Sequence, residues 1–170
     1  MSVERITNPF VGPDTYGHEF RYHLAKGFLR WSDVVLDAAC GIGYGCDIMH
    51  PSVYVGVDRE RPTKCPDGAY IVADLQTWVP LRAFDMAVGF ETIEHLADFS
   101  HSVEVLKQAR RWILVSAPVV PTVGTNPYHL HDFAPGDLAR IFEDEDWETY
   151  QVVQQPSEYS EIVVLKRRTS

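Results

Sequence analysis

A strand-like run that breaks into glycines constrains this chain more than any other feature. Val34-Val-Leu-Asp-Ala38 is apolar and β-branched, and Ala39-Cys40-Gly41-Ile42-Gly43-Tyr44-Gly45 follows it at once. Glycine allows left-handed backbone and close approach of a ligand, and a helix opening behind such a turn presents unpaired N–H groups. The apolar spacing over Tyr44–His50 predicts that helix. In an open α/β sheet, the carboxyl end of the first strand is where ligands bind.

Other short apolar runs repeat the strand signal: Tyr54–Val57, Tyr70–Ala73, Phe84–Phe90 and Trp112–Ala117. Helical spacing precedes the first strand over Gly17–Leu29 and recurs over Ala97–Arg110 and Pro135–Phe142, with Gln151–Val153 and Ile162–Lys166 as closing strands. The alternation predicts one doubly wound, mostly parallel α/β domain over residues 1–170, with an irregular segment over 1–16 and a tail over 166–170. The 59–69 connection holds Pro62 and Pro66, and the one between Leu75 and Ala83 is equally short. Parallel strands need crossovers of about a dozen residues, so some crossover helices are expected to be shortened or missing. A thinly covered face follows, open to a homodimer or partner subunit or covered by loops and aromatic side chains.

Acids punctuate the strand ends. Asp37 sits inside the first, Asp58 closes Val55-Gly-Val-Asp58 and Asp74 follows Ile71-Val-Ala. Asp58 stands about 20 residues beyond the glycine turn, where a carboxylate can accept from ribose hydroxyls. Helix caps and turns explain any one of these acids but not all three. A G-x-G-x-x-G dinucleotide fingerprint fails by register, because its third glycine would fall on Cys46. That counts against a nicotinamide dehydrogenase.

Asp37-Ala-Ala-Cys-Gly-Ile-Gly-Tyr-Gly45 resembles motif I of class I, Rossmann-like S-adenosylmethionine-dependent methyltransferases. Asp58 and Asp74 stand where their later motifs fall, and Phe90-Glu-Thr-Ile-Glu-His-Leu96 is similar to the acidic loop after their fourth strand. Asn126–Phe133 and Arg21-Tyr-His-Leu-Ala25 fit the same group. The usual proline-glycine-glycine turn before the fifth strand is replaced by Gln108-Ala-Arg-Arg-Trp112. The resemblance implies a seven-stranded sheet with an antiparallel last strand, and S-adenosyl-L-methionine as cofactor. It further implies that Asp58 and Arg59 lie at the ribose and Asp74 with Leu75 at the adenine. Asp37, Ala39, Gly41 and Gly43 would meet the methionine end, with Phe90 and Glu91 bordering the cofactor.

Glu94 and His95 after the fourth strand, and His129 and His131 after the fifth, are expected on one edge as catalytic candidates. They could supply a general base or steer the acceptor. Alternatively Glu91, Glu94, His95 and His129 could bind a divalent metal, as in the metal-using small-RNA and quinone-pathway O-methyltransferases that this set resembles. The acceptor expected is a small molecule or glycan hydroxyl or amine.

Composition narrows the partners. With 24 acidic and 15 basic residues the formal net charge is −9, which disfavours a nucleic-acid acceptor. No run approaches the roughly 20 apolar residues of a membrane span, and the N-terminus lacks a signal-peptide core. Cys40, Cys46 and Cys65 read as reduced thiols, which together with these absences points to a cytoplasmic protein. The rival readings are a nucleic-acid methyltransferase and a cofactor-binding but inactive subunit that supports a partner.

Overall fold

The computed structural model describes residues 15–63, 68–155, 157 and 159–169. In chain order these form α1 (Thr15–Lys26), β1 (Val34–Ala38), α2 (Tyr44–Met49), β2 (Val53–Asp58), β3 (Ala69–Val72) and β4 (Met86–Phe90). A 3-10 turn (Ile93–His95), α3 (Ser100–Leu106), β5 (Trp112–Pro118), α4 (Asp137–Phe142), β6 (Trp147–Gln155) and β7 (Ser160–Arg167) complete them. The strands make one seven-stranded sheet in the order β3-β2-β1-β4-β5-β7-β6. β7 runs antiparallel to both β5 and β6, and every other pairing is parallel.

β1 is flanked by β2 and β4, and Val35 through Ala38 are all buried. This explains the unbroken apolar run, because a central parallel strand has no solvent face. Leu36 and Ala38 face a core shared with Phe84, Leu106, Leu138, Phe142 and Trp147. Val35 faces a second core built with Tyr22, Ala25 and Met49 of the first two helices. Each fully buried aliphatic side chain contributes about 1.5–3 kcal/mol to folding.

The short crossovers are short. No helix lies between β2 and β3 or between β3 and β4 among the described residues. After β3, Thr77 and Trp78 donate their N–H groups to Asp74 O, folding the chain into a turn. His101 Nε2 donates to Trp78 O, and Ser102 Oγ to Leu75 O, which ties that turn to α3. Leu75 and Trp78 then pack on the core a helix would otherwise cover. Val72, Val79 and Leu81 stay exposed along this connection.

Several expectations need correction. α1 ends at Lys26 rather than Leu29, closed by Gly27 N donating to Leu24 O. α3 is confined to Ser100–Leu106: the Asp98 carboxylate accepts from Ser100 N at its start, and Gln108 N and Ala109 N close its end in tight turns on Val105 O and Leu106 O. β6 is longer than expected and carries a bulge between Thr149 and Gln151. Lys166 and Arg167 belong to β7 rather than to a tail. Arg167 pairs with Asp146, sits over the Trp147 ring and donates to Ala109 O. Cys40 is a free, buried thiol, but Cys46 is disulfide-bonded, so the reading of three reduced thiols does not hold. Cys65 and all but the last two residues of the 1–16 segment lie outside the described residues. No helix among the described residues is long and apolar enough to cross a membrane.

Candidate functional site

The sheet order reverses between β1 and β4, and the loops leaving their carboxyl ends, with that of β2, form the crevice such a reversal creates. After β1, three of five consecutive residues take left-handed backbone: Ala39 (φ 59°), Gly41 (φ 58°) and Gly43 (φ 93°). The two glycines carry no penalty there, whereas Ala39 places a Cβ where L-residues pay about 1–2 kcal/mol. The loop is held from below by Cys40 N donating to Val57 O and Gly43 N to Cys40 O. Asp58 holds it from the side: Oδ2 accepts from Gly41 N at 2.8 Å and Oδ1 from Glu60 N at 3.0 Å. Thr63 N donates to Ile42 O, laying the chain after β2 against the same loop.

Asp74 lies two residues beyond β3. It takes Gln76 N on Oδ1 and the Arg59 guanidinium on Oδ2 at 2.8 Å. Burial is the largest single influence and raises its pKa, but the Gln76 and Arg59 contacts together outweigh it and hold the carboxyl below the usual carboxylate range. Asp58, Arg59 and Asp74 therefore share one rim. Leu75 turns its side chain into the core.

Two of the acids face inward. Asp37 is 1% exposed and accepts from the hydroxyls of Tyr22 (3.3 Å) and Tyr54. Burial pushes its pKa up to about 7, against the lowering effect of both tyrosines. Gly45 is required beside them, since a Cβ there would run into the Tyr22 ring and the Asp37 carboxylate. Glu91, also left-handed (φ 47°), lies 3.2 Å from Arg21 Nη2 and accepts from Ser116 Oγ (2.7 Å) and Ser160 Oγ (3.1 Å). Arg21 is fully buried, and its Nε donates to Gln155 Oε1 and its Nη1 to His18 Nδ1. Burial first, then the Arg21 charge, lowers His18 to about 3, so it stays neutral and accepts. Phe90 packs edge-on against Tyr22.

Beside the 3-10 turn, Glu94, His95 and His129 each offer one ligand atom, and these atoms all lie within 4.8 Å of one another. Glu94 is 1% exposed, with His95 Nε2 3.8 Å from its Oε1. His95 Nδ1 faces Tyr128 O, and Leu130 N donates to Glu94 O, docking the loop after β5 on the 3-10 turn. This trio could hold a cation. Glu91, placed with them by sequence, is committed to Arg21 instead. His131 is also apart: Nε2 donates to Leu96 O and the ring packs on Phe99 and Phe133. Sequence reasoning missed Arg21, Tyr54, Ser116 and Ser160 as partners of the acids. A charged residue inside the apolar stripe of α1 was the one local signal.

No protein-family model matches the sequence, and no curated protein matches it by sequence. Solved structures do match its shape. NodS, an N-methyltransferase from Bradyrhizobium japonicum WM9 in complex with S-adenosyl-L-homocysteine, aligns with a TM-score of 0.71 at 12% identity, over 94% of this chain and 90% of that one. Magnesium protoporphyrin IX methyltransferase from Synechocystis PCC 6803, with bound S-adenosylhomocysteine, gives 0.66 at 19% identity over 97% and 90%. A chain of the complex between the Haloferax volcanii Trm112 methyltransferase activator and a proposed methyltransferase gives 0.71 at 13% over 96% of its length and 95% of this chain. The fold is that of the S-adenosylmethionine-dependent methyltransferases.

Proposed function

We propose that this chain is an S-adenosylmethionine-dependent methyltransferase, a single domain acting on a hydroxyl or amine of a small molecule or glycan. The observation that carries this is the Gly41 N–H to Asp58 contact at the sheet's reversal point, within a fold whose solved examples hold S-adenosylhomocysteine. Asp58 and Arg59 would hold the ribose. The rim at Asp74 and Leu75 would hold the adenine, and the Ala39–Gly43 loop with Phe90 the methionine end. The bound cofactor supplies an activated methyl group, so the protein's share is orientation and charge.

His95 Nε2 is the atom suited to take the acceptor's proton, since Nδ1 faces a carbonyl that can only accept. The convergence of Glu94, His95 and His129 favours a second reading of that edge, in which they hold a divalent cation that lowers the acceptor's pKa. A nucleic-acid acceptor is disfavoured further, because Arg110, Arg111, Arg167 and Arg168 lie at the opposite end of the sheet, each paired with a carboxylate. Exposed Val72 on edge strand β3, together with the activator in one structural neighbour, supports an accessory subunit on that edge.

The test is calorimetric titration of S-adenosylhomocysteine into wild type and Asp58→Ala. Binding to wild type that Asp58→Ala loses is expected. Tight binding of NAD with none of S-adenosylhomocysteine would overturn the reading.

A further inference from the structure

The sheet order reverses between β1 and β4, and the chain leaves both strands in the same manner. Ala39 follows the last residue of β1 at φ 59°, and Glu91 follows the last residue of β4 at φ 47°. The other left-handed non-glycine residues among those described, His50 and Tyr159, sit at the end of α2 and in the β6–β7 turn. A Cβ disfavours this region by about 5–30-fold in population. It persists only where the surroundings over-determine it, and such residues cluster at ligand sites.

At Glu91 the surroundings are side chains from three elements. Ser116 of β5 donates its hydroxyl to Oε1 at 2.7 Å, and Ser160 of β7 donates to Oε2 at 3.1 Å. Arg21 of α1 places Nη2 3.2 Å from Oε1. Glu91 N donates to Ser116 O at 3.0 Å, although Ser116 already faces Phe90 in the sheet, and Thr92 Oγ1 donates to Phe90 O. The chain therefore turns back at the end of β4 instead of running on past it. This happens beside the crevice where open α/β sheets take their ligands.

Of the three holders only Arg21 brings a charge, and burial of the pair limits its screening by salt. Arg21 is itself fully buried, with Nε on Gln155 and Nη1 on His18. It has no surface to offer a ligand, so it acts on the crevice through Glu91.

We infer that Arg21 is a positioning residue for the ligand crevice: by holding the Glu91 carboxylate it keeps residue 91 left-handed, and this turn sets affinity for the cofactor. The inference rests on the cofactor reading proposed above, and it carries the influence of α1 to the end of β4.

The experiment compares two double variants of the full chain, Arg21→Met/Glu91→Gly and Arg21→Met/Glu91→Ala, by calorimetric titration with S-adenosylhomocysteine. Each removes both charges, so neither strands a buried ion, and each frees residue 91 from all three holders. They differ by one methyl group, the one that opposes left-handed backbone. The glycine variant is expected to bind about 5–30-fold more tightly than the alanine variant. Thermal melts establish that both are folded. If either is not, Ser160→Ala takes their place, since it frees Oε2 and leaves Arg21 on Oε1. It should weaken binding by no more than about fivefold, the loss of one neutral hydrogen bond. A larger loss would assign the hold to Ser160 and overturn the inference. Equal affinity in the two double variants would overturn it as well. Equally strong binding would mean that the turn does not set affinity, and equally weak binding that Arg21 or the Glu91 side chain meets the ligand itself. A wild type that binds no S-adenosylhomocysteine would sink the cofactor reading, and the inference with it.

Discussion

Arg21 Nη2 and Glu91 Oε1 lie 3.2 Å apart, joining the first helix to the residue that follows β4. The guanidinium is fully buried, with this carboxylate, Gln155 Oε1 and His18 Nδ1 around it. Removing one member of a buried pair strands the other, at a cost of about 3–5 kcal/mol. Arg21→Met and Glu91→Gln should each be strongly destabilising in urea titrations. The double variant should be less destabilised than the sum of the two. Additive losses would mean that the charges do not act as a pair.

Asp37 makes a pH prediction whose sign is opposite to that of a salt-bridged acid. Its pKa rises from 3.8 to about 7 on folding. Between those values the folded protein keeps a proton that the unfolded chain has released. Its contribution to stability therefore falls as pH rises through that window and stays low above it. Asp37→Asn mimics the protonated acid, donating to one tyrosine and accepting from the other. Thermal melts at about pH 5 and about pH 8 should show the variant gaining on wild type as pH rises, by an amount on the order of a few kcal/mol. Parallel pH curves for the two proteins would count against a shifted Asp37.

Ala39 at φ 59° occupies a backbone region suited to glycine. Ala39→Gly should be neutral or stabilising by up to about 1 kcal/mol, since relieved strain outweighs the added freedom of the unfolded chain. Ala25→Gly, in the interior of α1 and fully buried, should instead destabilise by about 1 kcal/mol. The contrast in sign, read from urea midpoints, is the check.

His95 and His131 should separate kinetically. His95→Ala should lower turnover with a true acceptor far more than it lowers S-adenosylhomocysteine affinity. His131→Ala should chiefly lower the melting temperature, because its ring fills a gap between Phe99 and Phe133. Equal turnover for His95→Ala and wild type would remove His95 from the acceptor edge.

What the sequence made legible is what carries a recurring pattern. β1, β4 and β5 announce themselves because central parallel strands are apolar on both faces. The start of β6 does not, since Glu148 through Tyr150 lie on an edge strand whose polar residues mimic a loop, with a bulge breaking the alternation. The glycine turn and the Asp58 rim were readable because a glycine turn followed about 20 residues on by a strand-end acid is a recognisable pattern. The partners of Asp37 and Glu91 were not. Tyr22 and Tyr54 flank Asp37 from 15 and 17 positions away, and Ser160 reaches Glu91 across 69. No local pattern marks an acid as turned inward. Acids assigned by motif alone to the ligand thus divide into those that line the crevice and those that fasten α1.

That fastening has a practical corollary for anyone trimming the chain. Strand boundaries invite a start near Asp33, just ahead of β1, as though what precedes it were dispensable. Such a truncation would discard Arg21 and Tyr22 together, leaving Glu91 without its counter-charge and Asp37 with one phenol instead of two. The autonomous folding unit therefore begins upstream of the first strand, and its true boundary is set by electrostatic closure rather than by the sheet.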